Sequence, residues 1–188
     1  MNANPDGAVK TNASAPVPDL QLFLGRLGSG EAVYERRNSH MSSHPVPEAL
    51  LSEAFARIVA CDRPFLVEQV DFNRTIGATT CVTIGANDEV LFARRREGEG
   101  LTPFVRGRVA EPASSVVIIL KRFDDFFVLV TAFIGVKAEP LPWNSATLDR
   151  AADPLAAYER SVVFWNSHAL LWGSEAVSQD TVTDVRPW

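Results

Sequence analysis

Apolar and polar positions change rhythm several times along the chain. Residues 1–19, "MNANPDGAVKTNASAPVPD", show no apolar period and are rich in Asn, Ala and Pro, so they read as a disordered tail. "LQLFLGRLGSG" has an apolar start and a glycine break, which reads as a short helix docked on the core. After Pro45 and Pro47 comes "EALLSEAFARIVA". Its Leu50, Leu51, Ala54, Phe55, Ile58 and Val59 form a helical stripe, with Pro47 and Glu48 suited to a first turn. The rhythm then becomes that of strands: "FLVEQVDF", "IGATTCVTIG" and "EVLFARR", the last two forming a predicted hairpin over residues 76–96. A second hairpin, "SSVVIILKRFDDFFVLVTAFIG", precedes the proline-rich "AEPLPWN". Helical spacing returns at "DPLAAYERSVVFWNSHALLW", where Leu155, Tyr158, Val162, Trp165, Ala169 and Leu170 recur. The last residues, 173–188, read as a polar tail.

This order predicts one α+β domain over residues 20–172. It would have an N-terminal helix or helices, a curved antiparallel sheet of about four to five strands, and a C-terminal helix. The second hairpin is apolar on both faces, which predicts a central position in the sheet. A turn centred on Asp124-Asp125 sets Leu120 opposite Leu129, Ile118 opposite Thr131 and Val116 opposite Phe133. Ser114, Arg122 and Thr131 then share one face and Lys121 takes the other; a one-residue bulge would reverse that assignment.

Charge adds a local asymmetry. The chain is −5 overall, which argues against indiscriminate coating of nucleic acid. From Arg94 to Arg122, however, seven Lys/Arg face three acids, a local +4 that leaves −9 elsewhere. Such a patch suits one anionic ligand, or else a strand edge guarded by arginine. Cys61 and Cys81 are too few for a disulfide framework or a zinc cluster. No apolar run is long enough to span a bilayer, and "MNANPDGAVK" lacks the apolar core of a signal peptide. A cytoplasmic protein with no membrane partner is therefore expected.

No Walker loop, GxGxxG, CxxC pair, HExxH or GxSxG occurs, and no cofactor is expected. His40 and His44 stand four apart, but Pro45 argues against the helix that would turn them into metal ligands, and no metal is expected. His168 sits in "FWNSHALLW", as either a packed core residue or a general acid or base, because imidazole titrates near neutrality. Among the arginines, Arg94 and Arg96 share a strand face with Phe92, while Arg106 and Arg108 flank a glycine in "FVRGR". Guanidinium forks grip phosphate in pairs of hydrogen bonds. For Arg94–Arg96 the alternative is pairing with Asp88, Glu89, Glu97 or Glu99. Thr131 is either strand packing or a hydroxyl directed at a phosphate.

The succession "VLFARR … LTPFVRG … SSVVIILKR … FFVLVTAFIG", with its Pro-Trp exit, resembles the sheet of the barnase-, colicin- and RelE-like ribonuclease superfamily over about residues 76–143. Thr131, Ala132, Phe133 and Gly135 match its Thr-Ala-aromatic-x-Gly closing strand. The resemblance implies metal-independent RNA cleavage, in which Arg106 and Arg94, with Arg96 and Arg108, hold phosphate and Thr131 orients it. His44 or His168 would move protons, since the matched strands contain no histidine. The expected partner is then RNA or a small phosphorylated ligand. Three alternatives to a toxin-type ribonuclease stay open: a degenerate relative that binds RNA or phosphate in a basic cleft without cutting; a non-catalytic subunit that binds a protein partner, as an accessory or antitoxin-like component would; and an enzyme acting on a small anionic ligand.

Overall fold

The computed structural model describes residues 20–36, 46–95, 100–174 and 177–188. Its elements, in order, are β1 (Leu20–Arg26), β2 (Ala32–Arg36), α1 (Glu48–Phe55), β3 (Phe65–Asp71), β4 (Gly77–Thr79), β5 (Cys81–Thr83), β6 (Val90–Arg95) and β7 (Leu101–Val105). There follow β8 (Glu111–Ala113), β9 (Ser115–Arg122), β10 (Phe126–Ile134), α2 (Ser145–Leu148), α3 (Pro154–Ser167), β11 (His168–Leu171) and β12 (Val177–Thr183). The strands form a first sheet, β1-β2-β10-β9-β3, a second, β12-β6-β7-β11-β5, and a two-stranded ladder, β4-β8.

This arrangement corrects the expected single curved sheet behind an N-terminal helix. The described part of the chain enters through two strands, and the helices lie in its middle and toward its C-terminal end. "LQLFLGR" is strand because β2 completes its hydrogen bonds across a tight turn, with Leu27 N–H donating to Glu31 O at 2.9 Å. Gly28 makes that turn possible: it donates to Phe55 O and Ile58 O, and a Cβ there would stand 2.6 Å from Ala56 O. The proposed 76–96 hairpin does not form either. β5 pairs with β11, whereas β6 pairs with β7 and β12. β11 consists of residues that the helical pattern had claimed. The helix ends at Ser167, whose hydroxyl lies 3.1 and 3.0 Å from the carbonyls of Val163 and Phe164, and His168 turns extended. Ala169, Leu170 and Leu171 are then buried between β5 and β7, and that burial overrides local helix preference.

The second hairpin does take the centre of its sheet. Val116, Ile118, Leu120, Phe127, Leu129 and Ala132 meet Leu50, Leu51, Ala54 and Phe55 of α1 in one core. Leu129 lies opposite Leu120 as expected, but a bulge follows, and Thr131 pairs with Ile119 rather than Ile118. The extra residue reverses every later side chain on β10, so Thr131 joins Lys121 on the face turned away from α1. At the end of β10, Gly135 adopts φ +138°, and a Cβ there would come within 2.6 Å of Thr79 Oγ1 of β4. The closing glycine is thus the point where the two-stranded ladder meets the first sheet. Each face of the second sheet has its own small cluster: Val82, Val105, Ala169 and Leu171 on one, Ala93, Phe104 and Leu170 on the other.

Candidate functional site

Topology separates several of the residues of interest. Arg94 is exposed on β6 and shares a strand face with Phe92, which packs edge-on against Trp188 at 5.5 Å. Its register partner is Leu101, at the opposite end of β7 from Arg106, about 17 Å along the strand. Thr131 belongs to the first sheet altogether. The strands that carry the ribonuclease resemblance divide between the two sheets, β6 and β7 in one, β9 and β10 in the other. His44 and Arg96 lie outside the described residues.

Arg108 is committed to holding the fold. Its guanidinium donates to Thr83 O at 2.8 Å, to Asp88 Oδ2 at 2.6 Å and to Glu111. Asp88 also accepts from Gly85 N–H at 2.7 Å. That backbone bond first, and the Arg108 guanidinium second, hold the Asp88 carboxyl below its ordinary pKa. The pair clamps the loop between β5 and β6 to β8, leaving no free fork for a phosphate.

Arg106 and His168 are brought together by the parallel pairing of β7 with β11. Leu170 sits beside Phe104, and the ladder extends one step, with Trp172 N–H donating to Val105 O at 2.9 Å. Side-chain alternation then gives one face to Thr102 and Phe104 of β7, His168 and Leu170 of β11, and Cys81 of β5, with Trp172 following. The clustering of Cys81, Phe104, Leu170 and Trp172 agrees with that assignment. Arg106 closes this row. Its guanidinium lies 4.5 Å from the Trp172 ring centre, and Trp172 in turn packs edge-on against Phe104 at 5.9 Å. Arg106 is exposed and has no ion-pair partner among the described residues. A cation held over an indole keeps its outward N–H donors aimed at solvent and ready for an anion.

At the other end of the face, the His168 ring stacks on Phe164, centroids 4.2 Å apart and 3° from parallel. Its Nδ1 lies 3.1 Å from Phe164 O and 3.0 Å from Ser167 Oγ. A carbonyl can only accept, so the Phe164 contact assigns the proton to Nδ1 and leaves the lone pair on Nε2, which has no partner among the described residues. His168 and Arg106 are four strand positions apart, about 13 Å, with Leu170 and Phe104 between them. The arrangement suits an extended ligand with more than one polar group.

Other groups on this face narrow its chemistry. Burial raises the Cys81 thiol to about 11, so it is not a thiolate nucleophile at neutral pH. The Thr102 hydroxyl is fully buried and has no hydrogen-bond partner among the described residues. Among the described residues, no cluster of three His, Cys, Asp or Glu could hold a metal ion, and no helix is long and apolar enough to cross a membrane. Sequence reasoning missed Trp172 and Thr102. Reading "HALLW" as a period-two strand would have set Trp172 on the same side as His168.

No protein-family model matches the chain, and no curated protein matches it. Among solved structures, a conserved hypothetical protein from Toxoplasma gondii ME49 is similar at 13% identity, covering 70% of this chain and 87% of its own, with a TM-score of 0.49. A likeness this distant carries no argument about function.

Proposed function

We propose that the protein is a ribonuclease acting on single-stranded RNA, with His168 as general base and Arg106 as a phosphate anchor. The supporting observation is their shared face on adjacent strands, with Nε2 of His168 and the outward edge of Arg106 both unengaged. Nε2 takes the proton of a 2′-hydroxyl, and that oxygen attacks the adjoining phosphorus. The bond to the 5′-oxygen of the next nucleotide breaks, and that oxygen is protonated from solvent, leaving a 2′,3′-cyclic phosphate. The separation of the two residues assigns Arg106 to a neighbouring phosphate rather than the scissile one, so oligonucleotides are better substrates than dinucleotides. Arg94, Arg108 and Thr131 have no part in this site. A cytoplasmic setting belongs to the same reading, supported by two unpaired cysteines.

The test is cleavage of a labelled oligoribonucleotide by the purified chain, with and without EDTA. His168→Gln should lower kcat about 10²- to 10⁴-fold. Arg106→Ala should mainly raise KM, because it removes binding to an unreacting part of the substrate. Absence of cleavage, or cleavage indifferent to His168→Gln, would end this reading. A non-catalytic interaction subunit is the second reading, supported by the outward side of α3, where Leu155, Tyr158 and Val163 stay exposed. Its mark would be a stable complex with a co-expressed protein, broken by Val163→Glu.

A further inference from the structure

The face of the first sheet turned away from α1 carries a row of aromatic rings that the site above does not use. Phe23 of β1 meets Tyr34 of β2 edge-on at 5.7 Å, and Tyr34 meets Phe126 of β10 edge-on at 5.7 Å. Phe126 stacks on Phe123, just past β9, at 5.2 Å. A cation stands at each end: the Arg26 guanidinium lies 5.9 Å from the Phe23 ring centre, and Lys121 Nζ lies 5.3 Å from that of Phe123. Register explains the alignment. Tyr34 and Lys121 both flank Val128, and Phe126 lies two positions before it, so all four share the face opposite Phe127 and Leu129. Val128 is buried at the middle of the row, whereas Phe23 is half exposed and the other three rings are partly so.

We propose that this row is a platform for two or three bases of single-stranded RNA. The bases would lie against the rings, with phosphates reaching Lys121 and Arg26. Partly exposed rings in a row, available to successive bases, are what stacking recognition of a single strand uses. Rings alone would equally suit an apolar peptide. What favours the nucleic acid is a cation at both ends, neither ion-paired to an acid among the described residues. Asp124 and Asp125, in the turn between Phe123 and Phe126, repel phosphate beyond that tip, so the strand lies along the row and does not run past it. The choice of occupant rests on the ribonuclease reading, but the platform stands on a different sheet from His168 and is tested without cleavage.

Binding of a fluorescent eight-nucleotide RNA is measured by anisotropy in the His168→Gln background. Adding Phe23→Ala should weaken binding roughly 5- to 100-fold, the loss of one stacked base. Adding Lys121→Ala should flatten the dependence of log K on log salt by about 0.7. An oligomer carrying abasic sites should bind the His168→Gln protein about as poorly as intact RNA binds the Phe23→Ala variant. Phe23 and Lys121 are both exposed, and unchanged melting temperatures would show the variants folded. If RNA binds but neither substitution nor base removal matters, while Arg106→Ala abolishes binding, the platform is wrong and the ribonuclease reading survives. If no RNA binds at all, both fall. Loss of a protein complex on Phe23→Ala, with RNA affinity unchanged, would make the row a protein-docking surface and overturn the proposal.

Discussion

Arg106 and Arg108 stand two residues apart in one short motif and meet different fates. Arg108 is surrounded by Asp88, Glu111 and the Thr83 carbonyl, whereas Arg106 rests on an indole and faces outward. The clamp gives a pH signature. Asp88 has a lowered folded pKa, so its share of stability is complete above the ordinary carboxylate value of about 4 and is lost as pH falls through the folded value. Melting temperature should therefore fall as pH drops below about 4, and Asp88→Asn should start lower at neutral pH and fall less over that acid range. An equal acid-side fall in both proteins would show that the clamp does not govern it. The sequence named both arginines but set Asp88 among the acids near Arg94–Arg96. It could not distribute them, because which acid reaches which guanidinium depends on residues twenty positions apart being folded together.

At the level of elements, the bulge on β10 and the glycine that ends it decide what the Thr131 motif does. The bulge carries Thr131 to the face opposite the one a continuous register gives it, and Gly135 sets the approach of β4. Gly135→Ala should destabilise the protein by about 1–3 kcal/mol through left-handed backbone strain, with a further penalty from the contact with Thr79. Adding Thr79→Ala should recover only the second part, and chemical denaturation of the three proteins separates the two. The bulge itself was invisible in an apolar run, where every position accepts either face. α3 shows the same limit. Its start lies where the helical spacing set it, at Pro154, and the Asp153 carboxylate accepts from Ala156 N–H at 3.0 Å. Its end was not, because "HALL" fits a helix as well as a buried strand until β5 and β7 stand on either side.

Across the whole molecule, distant segments complete each sheet. β12, from the stretch that read as a polar tail, pairs with β6. Beyond it, Trp188 covers the buried Phe92 and donates from Nε1 to Asn166 at 3.2 Å. Trp188→Ala should lower stability by about 0.5–1.5 kcal/mol from the lost ring pair alone. An unchanged unfolding midpoint in urea would show that the contact adds nothing. The same long-range closure builds the proposed site, since Arg106 and His168 share a face only because β11 slots in beside β7.

Composition and pattern alone determined the apolar α1 stripe from Leu50 to Phe55 (not its predicted continuation to Val59, which lies beyond the helix and is exposed), the central β9–β10 hairpin with its Asp124-Asp125 turn, the local excess of arginine and the short list of residues able to move a proton. These follow from side-chain chemistry and from periods of a few residues, which the chain carries in its own order. The tertiary structure alone decided that the strands belong to two sheets, that Thr131 faces away from α1, and that Arg94 and Arg106 do not converge. It also decided that His168 begins a strand beside Arg106. Those outcomes turn on which strand fills which neighbour's hydrogen bonds, and an apolar segment offers the same backbone donors and acceptors to every candidate until packing selects one.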